Sequence, residues 1–325
     1  MIRKIIIPTW QGHFLNAFSL VKSYENNVLD REKITLCFVT SNEEETRSLE
    51  KIIGSKYEIH DILSLIKKTN LNYTGDLYKE TAVISNKHPY QAIKKLFALK
   101  TVEYDQALLM DCEANFIKKI KIGDLFDEYF SNPFVFYSKI TNSLRNINDS
   151  SIRVIDPDNK VLQEEKNYWC FEYHGWFVEK NIFNSFFSHI EEVWKKDVLS
   201  VTKSPPTEFF EIISYYWFIK KFTDKNYKFI SIEDSVTSIM KKYELFLNRF
   251  SNRHCGIIEF MMRALDEEIY EDLKTFIIKN NLKITRIENN FNLEIVKKII
   301  RETDISIIAC SEDYTKHSNI LEFVK

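Results

Sequence analysis

The chain opens on a short unbroken apolar run, Ile5-Ile6-Ile7, stopped by Pro8 and Gly12. A run with no polar alternation predicts a strand covered on both faces. Apolar residues then fall at helical spacing at Phe14, Phe18 and Val21. A second continuous run, Ile34 to Val39, predicts another buried strand, and Ser41 with Glu44 three positions on predicts a capping box that opens a helix. Strand, helix, strand, helix in about fifty residues is the pattern of a parallel α/β sheet with right-handed crossovers.

Tyr57-Glu58-Ile59-His60 predicts a third strand, and the polar stretch at Asn72, Tyr73 and Gly75 a surface loop. Pro89 opens a helix at a position where proline is tolerated. Its inner stripe is Ala92, Leu96 and Leu99; its outer face carries Lys94 and Lys95, with Lys100 nearby. Ala107-Leu108-Leu109-Met110 predicts a strand that runs directly into Asp111-Cys112-Glu113, and a helix and a further strand near Phe134 to Tyr137 follow. Ile152 to Leu162 reads as a hairpin around Asp156-Pro157-Asp158-Asn159. Beyond about residue 170 the pattern is mostly helical, near 179–195, from Pro205-Pro206 onward, near 231–248 and 256–280. The end returns to α/β: Leu282 to Ile287 extended, Leu293 to Arg301 helical, Ile305 to Cys310 extended. The expected fold is an open, mostly parallel, Rossmann-like sheet flanked by helices over 1–150. Residues 151–325 are expected to form a mainly helical region with a small α/β segment at its end.

Composition narrows the function. The 325 residues are 44% hydrophobic, enough for a substantial globular core. Basic and acidic residues number 45 and 47, so no basic excess exists to neutralise a nucleic-acid backbone. Aromatics reach 14%, with 25 Phe, which suits apolar walls and stacking on rings. The five Cys stand singly at 37, 112, 170, 255 and 310, against a disulfide framework or structural zinc and for a reducing compartment. Nothing near Met1 reads as a signal peptide, and no apolar run approaches the roughly 20 residues of a membrane span. The expectation is a cytoplasmic protein that works at the inner face of a membrane.

In an open parallel sheet, ligands bind outside the carboxyl ends of the strands. Those ends are predicted to be Pro8-Thr9-Trp10, Thr40-Ser41-Asn42, and Asp111 with Glu113. Alternate residues of an extended segment point the same way, so both carboxylates are expected to face one cavity. Hard oxygen ligands suit Mg²⁺ or Mn²⁺, which would neutralise a departing diphosphate. Trp10 would stack on a nucleobase or cover the sheet edge. Thr9 and Asn42 would bind base or ribose, or cap local turns. Lys94, Lys95 and above all Lys100 would contact phosphates, or form an exposed helix face. An Asp-x-Glu tripeptide alone reads as a solvated loop; the strand before it is what singles it out. Asp156-Pro157-Asp158 is a rival whose neighbours make it a turn.

The order of these parts resembles the GT-A glycosyltransferases over roughly residues 1–140. Ile5-Ile6-Ile7-Pro8-Thr9-Trp10 is similar to that fold's nucleotide-holding first strand. The segment from Lys94 to Lys100, then Tyr104-Asp105, then Leu108 to Glu113, is similar to the helix and strand that lead to its Asp-x-Asp motif. The resemblance implies a nucleotide-sugar donor, a divalent cation and glycosyl transfer. Pro8, Thr9, Trp10, Asn42, Lys100 and Asp111 would then face the donor, and Asp111 and Glu113 the cation. Glu113 departs from the motif's aspartate, and its longer arm reaches the metal directly or through water. The family further implies His254 as a third metal ligand. It also implies a general base at a helix start, which Glu208 in Ser204-Pro205-Pro206-Thr207-Glu208 fits, with Glu211 and Glu259 behind it. In Phe171-Glu172-Tyr173-His174-Gly175-Trp176, the residues Glu172, His174 and Trp176 would bind the acceptor, or the cluster is an aromatic turn. The function expected is sugar transfer to a glycan or lipid-linked acceptor, in bacterial surface polysaccharide synthesis. The alternatives are a nucleotidyltransferase, for which Gly12 alone does not make a phosphate loop, and a non-catalytic sugar- or protein-binding module.

Overall fold

A computed structural model describes residues 1–82, 87–140, 142–203, 209–234, 257–263, 267–287 and 291–311. Its central sheet has the order β3-β2-β1-β4-β8: β1 is Arg3–Pro8, β2 Ile34–Thr40, β3 Glu58–Asp61, β4 Gln106–Leu109 and β8 Trp176–Glu179. The first four are parallel and β8 runs antiparallel to β4. Ile5, Ile6 and Ile7 are wholly buried, as a strand covered on both faces requires. The fold is mixed α/β around a parallel-rich sheet, as the apolar runs indicate.

Helices α1 (Phe14–Asn27) and α2 (Glu43–Ile53) follow β1 and β2. The buried stripe of α1 is Phe14, Ala17, Leu20, Val21 and Tyr24, whereas Phe18 faces solvent. The cap of α2 lies one residue later than Ser41. Asn42 Oδ1 accepts the Glu45 N–H at 2.9 Å, and the Glu45 carboxylate accepts the Ser41 N–H at 2.8 Å. Two short helices, α3 (Ile62–Lys67) and α4 (Leu77–Ala82), occupy the irregular stretch after β3.

Helix α5 (Lys87–Thr101) overturns one expectation: Lys94 and Lys95 are not on an outer face. The helix packs on β1 and β2 on one side, and on α8 (Lys180–Trp194) and α10 (Glu211–Phe222) on the other. Lys94 and Lys95 are therefore only 2% and 6% exposed.

Past the acidic turn come β5 (Asn115–Phe116), α6 (Ile122–Ser131), β6 (Phe134–Lys139) and α7 (Asn142–Ile155). The expected hairpin at 152–162 is a correction: Ile152 to Ile155 are the last turn of α7. The Asp156 carboxylate then accepts the N–H groups of Lys160, Val161 and Leu162 at 3.1, 2.8 and 2.9 Å. That use as a turn anchor takes Asp156-Pro157-Asp158 out of contention as a metal site.

Strands β7 (Tyr168–Trp169) and β9 (Lys228–Ser231) flank β6 in a second sheet, and α9 (Val198–Thr202) precedes α10. A third sheet, β10-β11-β5, joins β10 (Ile284–Ile287) and β11 (Ile307–Ser311) to β5. Helices Ile257–Arg263, Glu267–Lys279 and Leu293–Glu302 surround a second, smaller core, in which Met261, Leu273, Ile299 and Ile308 meet. Within the 256–280 segment Ile257–Arg263 and Glu267–Lys279 are helical, and of 231–248 only Ser231 to Asp234 fall within the described residues. Every sheet takes at least one strand from beyond residue 150. Among the described residues, no helix is long and apolar enough to cross a membrane.

Candidate functional site

The carboxyl ends of β1 and β2 frame a cavity of about 400 Å³. Pro8, Thr9 and Trp10 form one wall, Ser41, Asn42 and Glu45 another, and Tyr78, Tyr90 and Lys94 a third. Four of the donor residues expected from sequence, Pro8, Thr9, Trp10 and Asn42, meet here. Trp10 is 45% exposed. Its indole folds over Gly12, where an added Cβ would lie 2.3 Å from the ring, and sits 5.1 Å from the His13 ring. Only a residue without Cβ lets the indole lie there.

Among the described residues, Lys94 is the one cation lining this cavity. Its Nζ donates to the Thr9 carbonyl at 2.6 Å and the Ser41 hydroxyl at 3.0 Å, which uses two of its three N–H groups. The ammonium lies 4.7 Å from the Tyr90 ring centroid. Burial lowers its pKa from 10.5 to about 8, only partly offset by Glu45 and Cys112. Lys100 is a correction. A crossover helix runs antiparallel to the strands it joins, so its last turn lies at their amino ends, away from the cavity. There the carbonyls of Leu99, Lys100 and Val102 accept the Lys180 ammonium at 2.7, 2.9 and 2.8 Å.

Beside the cavity, the chain leaving β4 turns rather than extends, and the Ala114 N–H reaches the Asp111 carbonyl at 3.0 Å. The Asp111 N–H donates to the Ala309 carbonyl of β11 at 3.2 Å. Because of the turn, the two carboxylates take different partners. Asp111 Oδ1 lies 3.3 Å from Lys95 Nζ, which lies 3.3 Å from Glu211 Oε1 and 4.7 Å from the Trp176 ring centroid. Burial works against the Lys95 charge, but Asp111 and Glu211 together hold it well above its ordinary pKa. Glu113 Oε1 instead meets His13 Nδ1 at 2.6 Å, and the Cys112 thiol lies 3.3 Å from both His13 Nδ1 and Glu113 Oε2. Burial, then Glu113 and Asp111, push the Cys112 thiol pKa well up.

Asp111 and Glu113 thus face different partners, Lys95 and His13, rather than converging on one point as the sequence reading expects. Among the described residues, two groups bring three metal-ligating atoms within 4.8 Å: His13-Cys112-Glu113, and Cys37-Glu58-His60 in mid-sheet, where Lys4 already holds Glu58. His13, Lys94, Lys95, Tyr78 and Tyr90 were not read as strand-end residues. For His13, the strand-end rule applied to the loop after β1 was the available signal.

The three acceptor residues expected from sequence are buried, a further correction. Glu172 accepts the N–H groups of Ile257 and Ile258 at 2.9 and 3.2 Å, and the Ser138 hydroxyl. It caps a helix from a distant part of the chain, and burial pushes its pKa up. His174 packs 5.1 Å from the Phe171 ring and 5.0 Å from the Trp176 ring; burial, then Arg286 and Lys95, hold its pKa well below normal. Trp176 lies inside the central sheet and donates from Nε1 to the Tyr173 carbonyl at 3.1 Å. The void beside Glu172 and His174 measures about 30 Å³, room for one water and not for a sugar. Glu208, His254 and the side chain of Glu259 lie outside the described residues. Glu211, at the start of α10, does reach the site through Lys95.

No family model matches the chain, and no curated protein matches it. Among solved structures the chain is similar to mouse xyloside xylosyltransferase 1 in its apo form. The identity is 9% and the TM-score 0.40, covering 79% of this chain and 95% of that one. It is also similar to the mannosyltransferase Ktr4p from S. cerevisiae in complex with GDP. There the identity is 11% and the TM-score 0.36, covering 63% of this chain and 64% of that one.

Proposed function

We propose that the chain is a glycosyltransferase of GT-A type that takes its sugar from a nucleoside diphosphate. The observation that carries this is the cavity at the ends of β1 and β2, with aromatic walls and one buried ammonium, beside an acidic turn at the end of β4. Its volume of about 400 Å³ suits a nucleoside. Trp10 and Tyr78 offer ring faces, and Lys94 has an N–H left for a base or phosphate oxygen. Lys95, next to Lys94 on α5, pairs with Asp111 and Glu211, and the departing sugar would lie beside this trio. Glu211, at a helix start where an ionised carboxylate is favoured and paired with Lys95, is the general base in this reading, taking the acceptor hydroxyl's proton. A divalent cation at the neighbouring acidic turn, where His13, Cys112 and Glu113 converge, would neutralise the diphosphate. The acceptor is a glycan or lipid-linked glycan of the bacterial surface, reached by a cytoplasmic enzyme resting on the inner membrane face.

Thermal-shift screening of nucleoside diphosphates and their sugars, with and without divalent cation, tests the reading. A donor that raises Tm in the wild type and not in Lys94→Met supports it. No shift with any nucleotide sinks it. Release of nucleoside diphosphate with an acceptor panel then measures turnover, which Glu211→Gln should lower at least about tenfold while sparing donor binding.

A further inference from the structure

We propose that His13, Cys112 and Glu113 form a binding site for a borderline divalent cation of the zinc class, with Asp111 outside the ligand set. The resident ion for this chemistry is expected to sit on hard oxygens, and the geometry argues otherwise. Asp111 faces Lys95, 3.3 Å from its ammonium, so of the acidic pair it is Glu113 that converges with further ligand atoms. The atoms that converge with it are an imidazole nitrogen and a thiol sulfur. Nitrogen and sulfur beside one carboxylate suit zinc or cobalt and disfavour magnesium, which wants octahedral oxygen and keeps its waters.

Spacing agrees. Ligand atoms at about 2.0 to 2.3 Å from a tetrahedral ion lie roughly 3.3 to 3.8 Å from one another. Sulfur already stands 3.3 Å from both the imidazole nitrogen and a carboxylate oxygen. The His13–Glu113 contact, Nδ1 to Oε1 at 2.6 Å, has to open by on the order of 1 Å, and because the sulfur stands beside the other oxygen, Oε2, the carboxylate also has to turn to present one oxygen to the ion. On binding, the thiol releases its proton to solvent, Nδ1 faces the ion unprotonated, and the carboxylate supplies one oxygen. The three groups come from the loop after β1 and the turn after β4, two adjacent strands of the rigid sheet. Three protein ligands leave the fourth position open. The assignment depends on the proposed function only for the purpose of that position, which would be to receive a diphosphate oxygen.

Cobalt(II), titrated into the whole chain, tests the site. The expected result is one equivalent bound with a sulfur-to-cobalt charge-transfer absorption. The absorption should be lost in Cys112→Ser and kept in Cys37→Ser and Asp111→Asn, with affinity about tenfold or more weaker in His13→Gln. Absorption that persists in Cys112→Ser, or disappears in Asp111→Asn, overturns the ligand set. Should Cys112→Ser not fold, zinc-edge X-ray absorption on the wild type decides: one sulfur neighbour supports the site, and a shell of nitrogen and oxygen alone overturns it. Cobalt absorption without nucleotide binding leaves this site standing and removes the proposed function; nucleotide binding without the absorption does the reverse.

Discussion

Lys94 shows how one residue can couple pH to both folding and binding. Its folded pKa of about 8 lies below its ordinary 10.5. Between those values the unfolded chain holds the proton and the folded one does not, so stability rises with pH across that window. Below about 8 both states are protonated and the cost of burying the charge is present in full. Lys94→Met removes that dependence. Its stability relative to wild type should therefore fall by up to about 3 kcal/mol as pH rises through the window, read by denaturant melts at several pH values. Binding has the opposite sign: an ammonium that donates to the donor is lost above about pH 8, so donor affinity should weaken there in the wild type and not in the variant. None of this was visible in the periodicity. Lys94 and Lys95 occupy the polar positions of an amphipathic pattern, and period alone does not say that α8 and α10 cover that side too. His13 sits in a short turn with no period to read, so its meeting with Glu113 is a purely tertiary fact.

The elements hold their ends together by borrowing groups from afar. Lys180, the first residue of α8, supplies an ammonium to three carbonyls at the end of α5, where the helix dipole is negative. Lys180→Met should destabilise the fold by about 1 to 2 kcal/mol in urea melts, with donor affinity unchanged because those carbonyls face away from the cavity. Glu172 does the equivalent at the start of Ile257–Arg263. Glu172→Ala should cost about 2 kcal/mol and raise amide exchange chiefly in that helix, with Glu172→Gln milder, since its amide oxygen still accepts. The strands were legible because β1, β2 and β4 each carry a compact apolar stretch, Ile5 to Ile7, Leu36 to Val39 and Ala107 to Leu109. The hairpin was misread because Asp-Pro-Asp-Asn marks a turn whether a strand or a helix precedes it.

At the scale of the whole molecule, strands from beyond residue 150 share sheets with those of residues 1–150. β8 completes the central sheet beside β4, and β11 pairs with β5 just past the acidic turn. Ile307→Asp, which buries a charge in that pairing, should destabilise by about 3 kcal/mol or more and weaken donor binding, although Ile307 lines no part of the cavity. Calorimetry together with nucleotide titration would show both. Sequence reading placed the Asp111 strand end at the centre of the site. It missed that β11 lies alongside, because antiparallel partners far apart in the chain leave no local pattern.

The hydrogen bond from Asp111 to the Ala309 carbonyl also has a consequence in time. It joins residues roughly two hundred positions apart, a contact that carries a loop-closure cost and forms late in folding. During synthesis the sheet β3-β2-β1-β4 can assemble long before β11 leaves the ribosome, with the acidic turn held by Lys95 and His13 but lacking its backbone tie to β11. A nascent chain stalled before residue 307 should therefore fold its nucleoside cavity first and gain its ordered Asp111–Glu113 turn only on release. The cavity and the acidic turn would mature in sequence, and the later one would wait for β11.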